Sequence, residues 1–262
     1  MPLCTIYANC QADGLAHFMK KTERGAKFDY AIHHNWQIIM GEEDPKGVME
    51  NAAKSDVFIT MPTPSLKYGQ LSSEEMIKTV PAHCKVLRFS YQFNYGFFPI
   101  IVWPGGYETA EALKARARVG DTSLLDDFDA GKLHFDCAIR MLQCLAEQER
   151  RERTCDIKTT GFILSNFQKV KLFLDQHHPA SAMYAELAKQ VDWHLDPDRC
   201  EHIWEHPLTI LWEGDNEAKM NGAIPLSPFT IRELNMTMNP DPDQRGQYRE
   251  VLGLMIQDKG VK

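Results

Sequence analysis

Four short runs of β-branched and apolar residues fall within the first ninety positions: Leu3 to Ala8, Phe28 to Ile32, Val57 to Met61 and Lys85 to Phe89. Each is separated from the next by a segment of helical character. From Ala12 onward the apolar residues Leu15, Phe18 and Met19 recur at helical spacing, Pro45 to Lys54 reads as a helix, and Ser72-Ser73-Glu74-Glu75 is a helix start that leads toward Pro81. Strands alternating with helices cannot pair as hairpins. They form a parallel sheet covered by helices. A fifth strand is expected at Val170 to Leu174, which gives an α/β fold: a small parallel sheet of about five strands with helices on both faces.

The middle of the chain is different. Thr109 to Val119, Ser123 to Ala130, Leu133 to Arg153 and Ile157 to about Phe167 read as helices, so residues 104–168 are expected as a helical insertion within a single α/β domain spanning 1–262. Ser181 to Val191 is a further amphipathic helix. The segment 196–262, rich in Pro, Asp and Trp and closing with a helix near Gln244 to Ile256, reads as an extension packed on that domain. The aromatic run Tyr91 to Pro99 fits neither period and reads as a packed loop.

With 29 basic against 36 acidic side chains the net charge is −7, which gives little support to nucleic-acid or anionic-membrane binding. No apolar run approaches the length of a membrane span, and the N-terminus lacks the form of a signal peptide. Seven cysteines, an odd number without a CxxC pair, read as reduced thiols of a cytoplasmic protein.

Among these thiols Cys10 has a particular position. It falls in the turn between the first strand and the first helix, where unpaired backbone N–H groups and the positive end of the helix dipole favour a thiolate and can hold an oxyanion. The alternative is a small buried hydrophobe. Asp175 and His178 stand at the carboxyl end of the expected fifth strand, on the same rim as Cys10 if the strands are parallel. A nucleophile, a histidine base and a carboxylate that orients the base make a triad. The spacing from Asp175 favours His178 over its neighbour His177. The other reading of Asp175 and His178 is as caps of the following helix.

His202, Glu205 and His206 spell an H-x-x-E-H zinc pattern, but Pro207 leaves any helix there barely two turns, and no metal is expected. His33 and His34 follow the second strand, where a pair of histidines is usually solvated. The cations Lys114, Arg116 and Arg118, and the cluster Arg150, Arg151, Arg153 and Lys158, can receive phosphates or be solvated helix faces. Arg88, ending the fourth strand, is the basic residue most readily placed near the rim.

The order of several short motifs adds a further indication. Asn9-Cys10-Gln11-Ala12, Lys67-Tyr68-Gly69 with Leu71-Ser72-Ser73, the Tyr91 to Pro99 loop, and Asp156-Ile157 through Asn166 to His178-Pro179 resemble, in that order, the WcbI family of capsular polysaccharide biosynthesis proteins. The resemblance covers most of residues 3–191. It implies a helix-rich relative of the SGNH (GDSL) hydrolase fold and an acetyltransferase that takes acetyl from coenzyme A to a saccharide hydroxyl. Cys10 then matches the nucleophile, His178 and Asp175 the base and its orienting acid, and Gln11 with Asn9 the oxyanion hole. Arg88, Tyr68, Tyr91 and Asn94 are the residues expected to contact coenzyme A. Met61 stands where the family is expected to have glutamine, and His177 where it is expected to have asparagine. The expected partners are an acyl-CoA donor and a saccharide acceptor. Hydrolysis by the same triad, as thioesterase, esterase or deacetylase, is the rival chemistry; a zinc-dependent hydrolase at His202, Glu205 and His206 and a non-catalytic binding module that has kept the fold are the further alternatives.

Overall fold

A computed structural model describes residues 1–197, 224, 226–238 and 245–259. In chain order the elements begin with β1 (Leu3–Ala8), α1 (Gln11–Met19), β2 (Asp29–His34), α2 (Asn35–Met40), α3 (Pro45–Ala52), β3 (Val57–Thr60), α4 (Ser65–Tyr68), α5 (Ser73–Ile77) and β4 (Lys85–Arg88). They continue with β5 (Ile101–Trp103), β6 (Gly106–Glu108), α6 (Glu111–Arg118), α7 (Ser123–Asp129), α8 (Cys137–Glu152), α9 (Thr160–Asn166), α10 (Ser181–Leu195), α11 (Pro228–Glu233) and α12 (Arg245–Gln257). The chain divides into two compact units, one of Met1–Gln92, Gln148–Phe162 and Pro179–Asn216, the other of Phe93–Glu147, Ile163–His178 and Glu217–Lys262.

In the first unit the four strands are all parallel, in the order β2-β1-β3-β4. Their side chains divide with the two-residue period of a strand. Cys4, Ile6, Ala8, Val57, Ile59 and Leu87 pack with α1 and with Tyr184, Leu187 and Val191 of α10. Tyr7, Phe58 and Val86 pack instead with Ile38, Val48, Ala52 and Met76 of α2, α3 and α5. Both faces are therefore covered by helices. The closest approach is between α1 and α10: a Cβ on Gly14 would lie 2.3 Å from the Tyr184 ring, so only glycine fits there.

The expected fifth strand does not form, and among the described residues the sheet has four strands. The edge of β4 is taken elsewhere: the amides of Asp156 and Ile157 both donate to the Arg88 carbonyl, Arg88 N donates to Asp156 Oδ2, and Phe89 bridges Ile157 in parallel. The segment expected to be the strand folds back on itself, with Leu174 N donating to the His178 carbonyl at 2.8 Å. The second strand runs further than expected, so that His33 and His34 belong to β2 itself.

The second unit holds helices close to those expected, α6, α7 and the start of α8, and a hairpin that the aromatic stretch had concealed. Its strands β5 and β6 join through Pro104-Gly105, where Gly105 has φ +104°; proline followed by a residue of positive φ is a type II turn. The core of this unit is aromatic: Phe229 packs on Phe128 and Phe135, with ring centroids 4.9 and 5.0 Å apart, and Phe97 on Phe173. The Glu233 carboxylate accepts from the amides of Phe135 and Cys137.

Candidate active site

Where β1 and β3 lie side by side, the chain has turned to opposite sides of the sheet, and ligands of open α/β sheets bind at the carboxyl ends of strands at such a switch point. Cys10 is there. It is the N-cap of α1, half-buried, one residue beyond Asn9, whose carbonyl accepts from Ala12 N and whose Oδ1 accepts from Gln11 N at 3.0 Å. The Gln11 amide expected in an oxyanion hole is thus held by the Asn9 side chain. The Gln11 side chain is buried and pairs with the Gln92 backbone through Nε2 to the carbonyl at 2.7 Å and Oε1 from the amide at 3.0 Å. These two hydrogen bonds fix the start of the aromatic loop to the turn that carries Cys10.

The other described thiols suit catalysis poorly. Burial pushes the Cys137 thiol up to about 12 and the Cys155 and Cys84 thiols up to about 11, and it raises Cys4 further still. Thiols so raised stay protonated and inert at neutral pH. Cys144 is buried as well.

Beside Cys10 the rim carries an ion pair that the sequence reading missed. His34 lies opposite Ala8 in the β1–β2 register, and its Nε2 is 2.8 Å from Asp13 Oδ2 in the first turn of α1. Its Nδ1 is 2.8 Å from Gln37 Oε1, so acceptors face both ring nitrogens. The Asp13 hydrogen bond, opposed by burial and aided by Gln37 and by the Asp13 charge, pushes the His34 pKa up to about 9. The imidazole is therefore a fixed cation at neutral pH. His33, by contrast, is buried, with Nδ1 on the Glu43 carboxylate and Nε2 on Asn51 Nδ2.

Asp175 and His178 belong to the second unit and meet as the spacing predicts. His178 Nδ1 donates to Asp175 Oδ2 at 2.7 Å, while Asp175 Oδ1 accepts from the amides of His177 and His178 at 2.7 and 2.9 Å. A carboxylate only accepts, which puts a proton on Nδ1. Burial acts to raise the Asp175 pKa, but the bonds from His178 and from the two amides outweigh it and hold the carboxyl below its usual range. Burial lowers the pKa of His177, whose ring lies between Phe93 and Trp103.

Of the remaining expected residues, Arg88 ends β4 with Nη2 3.8 Å from Glu74, and Tyr68 is half-buried at the end of α4 under the Lys67 ammonium. Tyr91 is half-buried beneath the Arg151 guanidinium. Asn94 is buried inside the second unit: its Nδ2 points to Met141 Sδ and its Oδ1 accepts from Gly96 N. Lys114 pairs with Glu111, and Arg116 with Asp121 and Asp127, so these two cations already have carboxylates. Arg153 and Lys158 line a cavity of about 350 Å³ with Glu149, Glu152, Thr160 and Gly161. His202, Glu205 and His206 lie outside the described residues. Among the described residues no helix is long and apolar enough to cross a membrane.

Comparison with known proteins gives the family. A family model described as the polysaccharide biosynthesis enzyme WcbI matches residues 3–199. The chain belongs to the WcbI family. A solved structure of a WcbI, described as the native protein without a disulfide bond between coenzyme A and a cysteine of that protein, is similar over 98% of this chain and 94% of that chain. The TM-score is 0.69 and the identity 18%, a likeness of fold. No curated protein matches the sequence. As a WcbI family member the chain is an enzyme of polysaccharide biosynthesis, and the switch-point site around Cys10 and the Asp175–His178 pair are the places where its chemistry is to be sought.

Proposed function

We propose that this enzyme moves an acyl group, acetyl in the simplest case, from coenzyme A to a saccharide hydroxyl through Cys10, as a cytoplasmic step of capsular polysaccharide assembly. The observation that carries the reading is the 2.7 Å hydrogen bond between His178 Nδ1 and Asp175, which leaves Nε2 as the base. Under this reading the fold is SGNH-like, with a cysteine in the nucleophile turn and Asp175 and His178 completing the triad. His178 Nε2 takes the Cys10 proton. The thiolate attacks the thioester carbonyl, coenzyme A leaves as the thiol with that proton, and an acyl-cysteine remains. His178 then takes the proton of a sugar hydroxyl, the sugar oxygen attacks the acyl-cysteine, the ester forms and the Cys10 thiol is restored.

Exchange of one thioester for another is nearly balanced, which suits a cysteine in the first step. The backbone N–H of Gln11, released when the Asn9 side chain turns away, serves the oxyanion. Arg88, Tyr68 and Tyr91 are the proposed contacts for coenzyme A. The solved WcbI whose description names coenzyme A together with a cysteine supports this choice of donor.

The test is incubation with acetyl-CoA, with and without glycosides, following thiol release, acetate and acetylated glycoside by mass spectrometry. Acetyl on Cys10 in the absence of glycoside and acetyl-glycoside in its presence are expected. Acetate alone, at the same rate with or without glycoside, would assign hydrolysis instead.

A further inference from the structure

In the loop from Phe93 to Gly96, burial alternates as it does along a strand: Asn94 and Gly96 are buried while Phe93 and Tyr95 are half-open. The two open rings meet at 5.6 Å and 60°. Phe93 lies 5.1 Å from the His177 ring at 45°, and His177 lies 5.2 Å from Trp103, at the end of β5, at 70°. All four residues belong to the second unit and are only half-buried. Its packed core is elsewhere, at Phe97, Phe128, Phe135, Phe173 and Phe229, which are 3% exposed or less. One face of the Tyr95 ring packs on the buried Arg140 guanidinium, 5.1 Å from its centroid, while the cluster as a whole stays partly exposed, and partly exposed aromatic clusters with a polar border mark binding surfaces. The border here is polar: the Tyr95 hydroxyl is 3.3 Å from Gln143 Oε1, and His177 adjoins His178 in sequence, with both amides on one Asp175 oxygen.

We infer that Phe93, Tyr95, Trp103 and His177 form the subsite for the acceptor saccharide. The C–H face of a sugar ring lies on the aromatic wall, and its edge hydroxyls meet Gln143 and the His178 side. This placement rests on the acyl-transfer reading for its purpose. The chemistry of the occupant follows from the rings. Aromatic faces are electron-rich and attract the weakly positive C–H groups of a pyranose. Burial lowers the His177 pKa, so its ring is neutral and acts as one more aromatic face rather than as an anion site. An enzyme of polysaccharide biosynthesis needs a sugar surface, and this one adjoins the proposed base in the chain.

The experiment is saturation-transfer NMR of the whole protein with a mixture of methyl glucoside, methyl galactoside, methyl mannoside and their disaccharides, alongside calorimetric titration with coenzyme A. Wild type should saturate ring C–H protons of at least one glycoside. Trp103→Ala and Phe93→Ala should weaken that binding about tenfold, Trp103→Phe should retain most of it, and coenzyme A affinity should be unchanged in all three. Circular dichroism and melting curves confirm that the variants fold, and Phe93→Ala carries the test if Trp103→Ala does not. Absence of saturation for every glycoside, or equal saturation in folded wild type and Trp103→Ala, would overturn the subsite. Loss of coenzyme A affinity in Trp103→Ala would assign the rings to the donor and overturn it too. If wild type binds glycosides through Trp103 yet never acylates them, the transfer reading fails and the subsite stands.

Discussion

Each unit of the molecule holds an aspartate–histidine pair, and the two are built to opposite ends. In the first unit His34 is gripped from both sides, by Asp13 at Nε2 and by Gln37 at Nδ1, and stays charged up to about pH 9. In the second unit the carboxylate meets only Nδ1 of His178 and uses its other oxygen to shape the loop through two amides. A histidine already carrying two protons has no lone pair to accept a third, so His34 acts as a fixed positive charge beside the turn that carries Cys10. A histidine held at Nδ1 by an ionised carboxylate is the form a general base requires. The same two residue types thus give a cation in one place and, on the acyl-transfer reading, a base in the other.

The largest test of that contrast is replacement of each histidine by alanine. His178→Ala is expected to lower acyl transfer by about a thousandfold or more, as is Cys10→Ala, with the melting temperature little changed; His34→Ala should cost under about tenfold. Steady-state rates with acetyl-CoA and a glycoside acceptor check this. Equal losses at the two histidines would erase the distinction drawn here.

A smaller effect is expected from Asp175→Asn. The amide oxygen can still accept from the His177 and His178 amides, so the loop survives, but the charge that orients and supports the imidazolium is gone. The rate should fall about a hundredfold, less than for His178→Ala. Asp175→Ala removes both functions and should also lower the melting temperature. A rate unaffected by Asp175→Asn would reduce Asp175 to a loop former, the capping role that its sequence position also allows.

The contrast also explains what was legible in the sequence. Asp175 and His178 are three residues apart on one loop, so their meeting could be read from spacing alone. Asp13 and His34 come from a helix and a strand, and join only because β2 pairs in parallel with β1 in a register that sets His34 beside Ala8. Nothing local encodes that register. Hydrophobic period and caps made the first four strands and the middle helices readable, including Ser72, whose side chain accepts from Glu75 N as a helix start should. The fifth strand was misread for the reverse reason. Val170 to Leu174 has a strand's composition, but its end turns back on itself through Leu174 N on the His178 carbonyl, which composition does not record. The hairpin at Trp103 did leave a signal, a β-branched run followed by Pro104-Gly105, overlooked beside the aromatic loop.

The smallest effect concerns pH and stability. His34 titrates near 6.5 when unfolded and at about 9 when folded, so folding raises its affinity for the proton. Its contribution to stability is whole below pH 6.5, declines as pH rises from there toward 9, and is absent above. Wild type should therefore lose several degrees of melting temperature across that window relative to His34→Gln, which has no such titration. Asp13→Asn removes the main partner and should flatten the difference in the same way, although Gln37 still holds Nδ1. A melting-temperature series in wild type and both variants decides it. If wild type and His34→Gln run parallel from pH 6.5 to 9, His34 is not held as a cation. The reason for excluding it as the base would then be lost, and the two pairs would have to be treated as equals.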